Sequence, residues 1–167
     1  MPYYTSTVKH TPNLDRMAKE GARFDKFYIT SPMCTPSRWS ILTGQYASRS
    51  DTALENTPPN FPMYVTWDTY FTPEEPSIAR ELKQLGYTTG FVGKWHNGEP
   101  KMADPKHIHR EYGDKPDVLQ TKLKEAHELA SRHIRETLGF DVATRLSMGN
   151  LDNPKYGGHN MPWYTEG

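Results

Sequence analysis

The first periodic stretch is Leu14, Met17 and Ala18, three apolar residues spaced to share one helical face. Thr11 stands where an N-cap is expected, Pro12 at the first helical position, and Gly21 as a C-terminal stop. The run Ala22 to Ile29 is aromatic and partly alternating, which predicts a strand leading into the Ser31-Pro32 loop. A short helix from Pro36 to about Thr43, stopped by Gly44, follows directly.

From Ala47 to Pro73 the pattern loses its period. This stretch is rich in Pro, Thr, Asn and aromatic residues and reads as a long surface excursion, with Trp67 and Tyr70 packing within the loop. Period returns at Pro76 to Leu85, where Ile78, Leu82 and Leu85 share a helical face and Gly86 ends it; Tyr87 to Gly93 then reads as a buried strand. Helix, glycine, strand is the rhythm of an α/β fold.

The longest helix is expected over Asp117 to Leu138, with Leu119, Leu123, Ala126, Ala130, Ile134 and Leu138 spaced by threes and fours before Gly139. Asn150 to Gly167 has no period and brings no closing element, so the chain is expected to stop in mid-fold.

Composition narrows the function classes. Lys+Arg and Asp+Glu both number 20, which gives no basic footprint for nucleic acid or an anionic membrane surface. No run approaches the roughly 18 consecutive apolar residues of a membrane span, and Met1-Pro2-Tyr3-Tyr4 does not begin an export signal. Only 35% of the 167 residues are hydrophobic, enough for a thin core. Cys34 is the only cysteine, so neither an internal disulfide nor a cysteine metal cage can form. Its thiol is either inert packing or chemistry.

The neighbours of Cys34 point to chemistry. With Pro36 at the first helical position, Thr35 becomes the N-cap and Cys34 lies just outside the positive end of the helix dipole, where negative charge is favoured. Arg38, at most one turn on, adds a permanent cation able to fork onto an oxyanion. A second group, Gly93-Lys94-Trp95-His96-Asn97-Gly98, follows the strand through Phe91 and Val92. If extension continues, Lys94 and His96 share a face and Trp95 turns away. Both would sit at a strand's carboxyl end, where open α/β sheets place ligands, and would suit charge neutralisation with proton transfer. A lysine and a histidine in a glycine-flanked loop are otherwise ordinary solvated groups.

Cys34-Thr35-Pro36-Ser37-Arg38 followed by Leu42-Thr43-Gly44 resembles the signature of the formylglycine-dependent (type I) sulfatases, an arylsulfatase-like family of the alkaline phosphatase superfamily. Three further stretches match that family in order: Thr11-Pro12-Asn13-Leu14-Asp15-Arg16, Ser77-Ile78-Ala79 with Gly86-Tyr87, and Gly93-Lys94-Trp95-His96. The match is close over residues 11 to 98 and looser through Gly139-Phe140-Asp141 to His159-Asn160; Gln45 and Asn97 stand where arginine and leucine are commoner.

The resemblance implies an α/β fold, part of an alkaline-phosphatase-like α/β/α sandwich around a mostly parallel sheet. It implies that a separate formylglycine-generating maturation enzyme oxidises Cys34 to formylglycine, whose hydrate attacks the sulfur of a sulfate ester. Arg38 would then hold the formylglycine, Lys94 neutralise the sulfate, and His96 steady the hydrate or sulfate and assist proton transfer. A divalent metal, a calcium ion in most relatives, would have residue 34 among its ligands. By the same analogy the enzyme would be exported: periplasmic, secreted or lysosomal.

The family's acidic metal pairs are not found in the sequence, so residues 1–167 are expected to be an incomplete N-terminal catalytic domain lacking its first strand and C-terminal half, and inactive alone. Only micromolar calcium binding with turnover dependent on Cys34 would make Asp51, Asp68, Asp104 and Asp114 the first replacement ligands to examine. Two other readings stay open: a phosphonate or phosphodiester hydrolase with the same cysteine signature, and a non-catalytic remnant. His107-Ile108-His109 could offer two imidazoles to a metal but has no third ligand, and His127 and His133 are expected to be half-buried residues bordering the helix stripe.

Overall fold

The computed structural model describes residues 11–66, 68–98, 111 and 115–147. The expectations for Trp67, for the His107/His109 pair, and for residues 150–167 lie outside these.

The elements are α1 (Pro12–Glu20), α2 (Cys34–Thr43), a 3-10 turn (Ala47–Arg49), α3 (Asp51–Glu55), α4 (Ile78–Gln84), β1 (Gly90–Lys94), α5 (Pro116–Glu136) and β2 (Val142–Ser147). The two strands pair in parallel, as the α/β rhythm requires, with the α5 segment between them in sequence. α5 packs against β2 through the stripe Leu123, Ala126, Ala130 and Ile134, all buried as the spacing predicts, and Leu138 continues the stripe past the helix end. Ser131 Oγ adds a 2.6 Å bond to the Ala143 carbonyl.

The core is aromatic where it meets the strand ends. Trp39 stacks on Phe71 at 6.1 Å, Phe71 packs against Trp95 at 5.5 Å, and Phe91 meets Trp95 edge-on at 5.4 Å. Trp39 and Trp95 are both fully buried.

The β1–β2 register slips between Val92 and Gly93, because Val92 faces Thr144 while Gly93 faces Leu146 and Arg145 is skipped. Gly93 (φ 102°) and Arg145 (φ 49°) take the left-handed backbone this bulge needs, at no steric cost for the glycine. The Leu146 N–H, beside the irregularity, donates to His127 Nε2 at 3.2 Å. His127 is therefore a buried acceptor for the sheet and not a boundary residue.

Several local expectations are corrected. Residues 22–29 form no strand: Phe24, Phe27, Tyr28 and Ile29 are exposed, and no described segment pairs with them. Alternation is a strand signal only where another strand supplies the hydrogen bonds. The strand expected over 87–93 begins later, at Gly90, and Val92 is 65% exposed, so it is not buried among the described residues. Helix α4 buries Ala79 while Ile78 and Leu85 are exposed, the reverse of its apolar periodicity. Its ends follow the sequence better: Ser77 Oγ accepts from Ala79 N, and Gly86 N and Tyr87 N bond back to Lys83 O and Leu82 O.

The 47–73 excursion is also more ordered than its composition suggests. Ser50 caps α3, and the buried Glu75 carboxylate accepts from Asp51 N (2.9 Å) and Thr72 N (3.1 Å), drawing the loop's two ends together so that Phe71 enters the core.

Candidate active site

Helix α2 starts at Cys34, with Met33 as N-cap, two residues earlier than the proline suggested. Pro36 still falls within the first turn, where a missing N–H costs nothing, and Ser37 N closes the first helical bond to Met33 O at 3.1 Å. Cys34 is thus the first residue of the helix. Its side chain is exposed. At the other end Gly44 adopts φ 70° and stops the helix as expected.

Freed from capping, Thr35 turns its hydroxyl to the strand end, where Oγ1 donates to the His96 carbonyl at 2.8 Å. Arg38 Nη1 donates to the Lys94 carbonyl at 2.7 Å. Lys94 Nζ donates to Cys34 Sγ at 3.4 Å. Three contacts thereby stitch the first turn of α2 to the carboxyl end of β1 across about 60 residues of sequence.

Of the four residues assigned to the site from sequence, Cys34, Arg38 and Lys94 are brought together by direct contacts, and His96 joins through its backbone carbonyl. Extension does not run through to His96. β1 ends at Lys94 and His96 has φ 52°, so strand alternation cannot be used to place its imidazole. The Arg38 Nε–H is buried with no hydrogen-bond partner among the described residues, which leaves this cation donor capacity for an anion.

The sequence placed Thr35 as a helix cap and Trp95, Asn97 and Gly98 within the second group, but gave none of them the contacts they make here. Trp95 fills the space behind the strand end, its indole N–H reaching Gly98 O at 3.4 Å, while Asn97, fully buried, donates to Trp95 O at 3.2 Å. Gly98 N bonds to Thr69 O at 2.9 Å, and a Cβ at Gly98 would clash with the Asp68 backbone. The glycine therefore lets two loops touch behind the site. No spacing rule reveals Thr35, whose partner lies 61 residues away.

His133, on α5, is buried against Trp95 and Tyr70, with Nδ1 3.2 Å from Thr137 Oγ1. Burial lowers its pKa to about 4. The fold holds the neutral imidazole while the unfolded chain protonates near 6.5, so stability falls as pH drops from about 6.5 towards 4 and levels off below that. The loss is about 3 kcal/mol at most. Glu75, raised by burial, acts in the opposite sense. Urea unfolding between pH 7 and pH 4 checks this: His133→Asn is expected to flatten the slope, and an unchanged slope contradicts the assignment.

Asp51 and Asp68 hydrogen-bond within their own loop. Asp51 Oδ2 accepts from Thr72 Oγ1 at 3.4 Å, Asp68 accepts from Thr66 Oγ1, and no group of three His, Cys, Asp or Glu suited to a metal occurs among the described residues. Asp104 and Asp114 lie outside them. No helix among the described residues is long and apolar enough to cross a membrane.

The parallel α/β unit thus sets a helix-start thiol beside a lysine ammonium whose backbone carbonyl an arginine holds. Comparison with known proteins gives the family: residues 1–121 match the sulfatases, and the chain belongs to the sulfatase family, hydrolases with an alkaline-phosphatase-like α/β fold. It is 40% identical over 95 residues to steryl-sulfatase of Rattus norvegicus, covering 57% of this chain and 16% of that protein. It is 37% identical over 109 residues to arylsulfatase D of Homo sapiens, covering 64% and 18%, and 36% identical over 124 residues to N-acetylgalactosamine-6-sulfatase of Rattus norvegicus, covering 68% and 22%. The chain spans about a fifth of the length of these relatives.

Proposed function

We propose that this chain carries the nucleophile half of a sulfate-ester hydrolase site, in which Cys34 is converted by a maturation enzyme to formylglycine. The observation that supports this best is the 3.4 Å approach of Lys94 Nζ to Cys34 Sγ, with both backbones clamped by Arg38 and Thr35. In this reading Lys94 places an ammonium against the sulfate, Arg38 offers its remaining guanidinium N–H groups to the oxygen on residue 34, and His96 moves a proton at the hydrate or the leaving oxygen. These are cations and donors aimed at a charge that grows during reaction, the arrangement that lowers barriers most.

A calcium ion, implied by the resemblance, needs about six or more oxygen ligands. The described residues do not fit one: the side chain that meets Cys34 is the Lys94 cation, no group of three His, Cys, Asp or Glu suited to a metal occurs among them, and conversion of Cys34 would add a single oxygen-bearing ligand. The 167-residue chain alone is accordingly expected to be silent towards an aryl sulfate, and an exported location follows from family analogy.

The names of the relatives favour sulfate over phosphorus esters. Conversion is tested by co-expressing the chain with a formylglycine-generating enzyme and weighing the peptide that contains residue 34. The aldehyde mass is expected; a thiol that persists while a control sulfatase is converted removes the basis for this chemistry.

A further inference from the structure

Before any conversion, the clamped pair is a thiol and a primary amine held 3.4 Å apart. The thiol is exposed, so small oxidants reach it, and it stands at the first position of a ten-residue helix. The amine comes from a separate element, and the two backbones are fixed to each other by the Arg38–Lys94 and Thr35–His96 bonds. Neither partner has to search for the other. Sulfenic acids condense with nearby nitrogen nucleophiles, and preorganisation of this kind speeds intramolecular condensation by large factors.

We propose that Cys34 and Lys94 form an oxidatively closed, reducible sulfur–nitrogen cross-link. In the first step a hydroperoxide oxidises the sulfur: the O–O bond breaks, one oxygen and a hydrogen stay on sulfur as sulfenic acid, and the other oxygen leaves as water or alcohol. In the second, the neutral amine of Lys94, its extra proton given to solvent, attacks sulfur. The S–O bond breaks, an S–N bond forms, and the hydroxyl leaves with the amine proton as water. No electrons change hands in this second step. A thiol reductant reverses the closure, its sulfur displacing the lysine nitrogen and a second equivalent releasing the Cys34 thiol as the reductant becomes a disulfide. The cross-link is independent of the sulfatase reading. Only one consequence rests on that reading: a cross-linked chain has no thiol left for conversion.

The test uses the unconverted 167-residue chain, hydrogen peroxide and non-reducing peptide mapping. The expected product joins the residue 34 and residue 94 peptides with the loss of two hydrogens, and dithiothreitol separates them. Lys94→Arg keeps the cation but not the nucleophile, so it should yield sulfenic acid that dimedone traps. In urea the partners must close a loop of 60 residues without the clamp, and the yield should fall by about tenfold or more. Wild-type chain that gives only sulfinic or sulfonic acid, or a cross-link to a backbone nitrogen, overturns the proposal. So does equal closure in urea, and the wild-type map decides the matter even where a variant fails to fold.

Discussion

Replacing Lys94 by alanine in a full-length, converted enzyme carrying this segment is expected to lower turnover by about 10²-fold or more, the usual scale for losing a preorganised charge at the reacting group. At about 1.4 kcal/mol per tenfold, this asks the ammonium for about 3 kcal/mol of transition-state stabilisation. The demand is reasonable for a cation 3.4 Å from the sulfur whose place the formylglycine oxygen takes, on a strand end fixed by Arg38. Lys94→Arg separates charge from shape: it keeps the cation but replaces a compact ammonium with a planar fork, and should recover only part of the rate. For His96 the informative change is asparagine. Its φ of 52° is tolerated by asparagine better than by alanine, so His96→Asn removes the imidazole while sparing the turn. It too is expected to cost about 10²-fold, the range of a lost proton-transfer group. Near-normal kinetics in both variants would sink the assignment, and a raised KM at constant kcat would mean ground-state binding only.

The parts of this molecule legible in sequence are those whose cause is local. α5 could be read because six apolar residues repeat at helical spacing, and the end of α2 because Gly44 can enter the left-handed region. The nearness of three motif residues was legible too: Lys94 touches Cys34, and Arg38 holds the Lys94 carbonyl. What failed depends on partners distant in sequence. The 22–29 run alternates like a strand but has no described strand beside it, and α4 leaves Ile78 and Leu85 exposed while Ala79 packs inward. Pro36 suggested a helix start at itself, because proline is equally acceptable anywhere in the first turn, and the chain placed it two residues in. The 47–73 stretch hid its order in one glutamate: Glu75 reaches back to Asp51 N, a link that no period announces.

Trp95 carries the largest expected effect on stability. Its side chain is fully buried and joins three parts of the fold at once: Phe71 from the loop at 5.5 Å, Phe91 from β1 at 5.4 Å and His133 from α5 at 6.4 Å. The indole N–H, which burial would otherwise leave unsatisfied, reaches Gly98 O. Trp95→Ala removes the ring from all three neighbours and opens a cavity that this rigid aromatic cluster cannot easily close, at a cost of about 3–5 kcal/mol. Against a typical total of about 5–15 kcal/mol, and with a core as thin as 35% hydrophobic residues allow, that loss is enough to unfold the chain in part or in full. Trp95→Phe keeps most of the apolar contact but drops the N–H bond and is expected to cost less. Tyr87→Ala, at a residue 61% exposed, should stay within about 0.5 kcal/mol of wild type. Urea titrations followed by far-ultraviolet circular dichroism give the comparison. If Trp95→Ala unfolds within about 0.5 kcal/mol of wild type, the scale of an ordinary surface change, the aromatic cluster is not what holds β1 to the loop and helix behind it. If the loss is as large as expected, the strand end that carries Lys94 depends on this ring, and the variant should also lose the 3.4 Å approach of Lys94 to Cys34, read as a fall in the yield of their peroxide-induced cross-link.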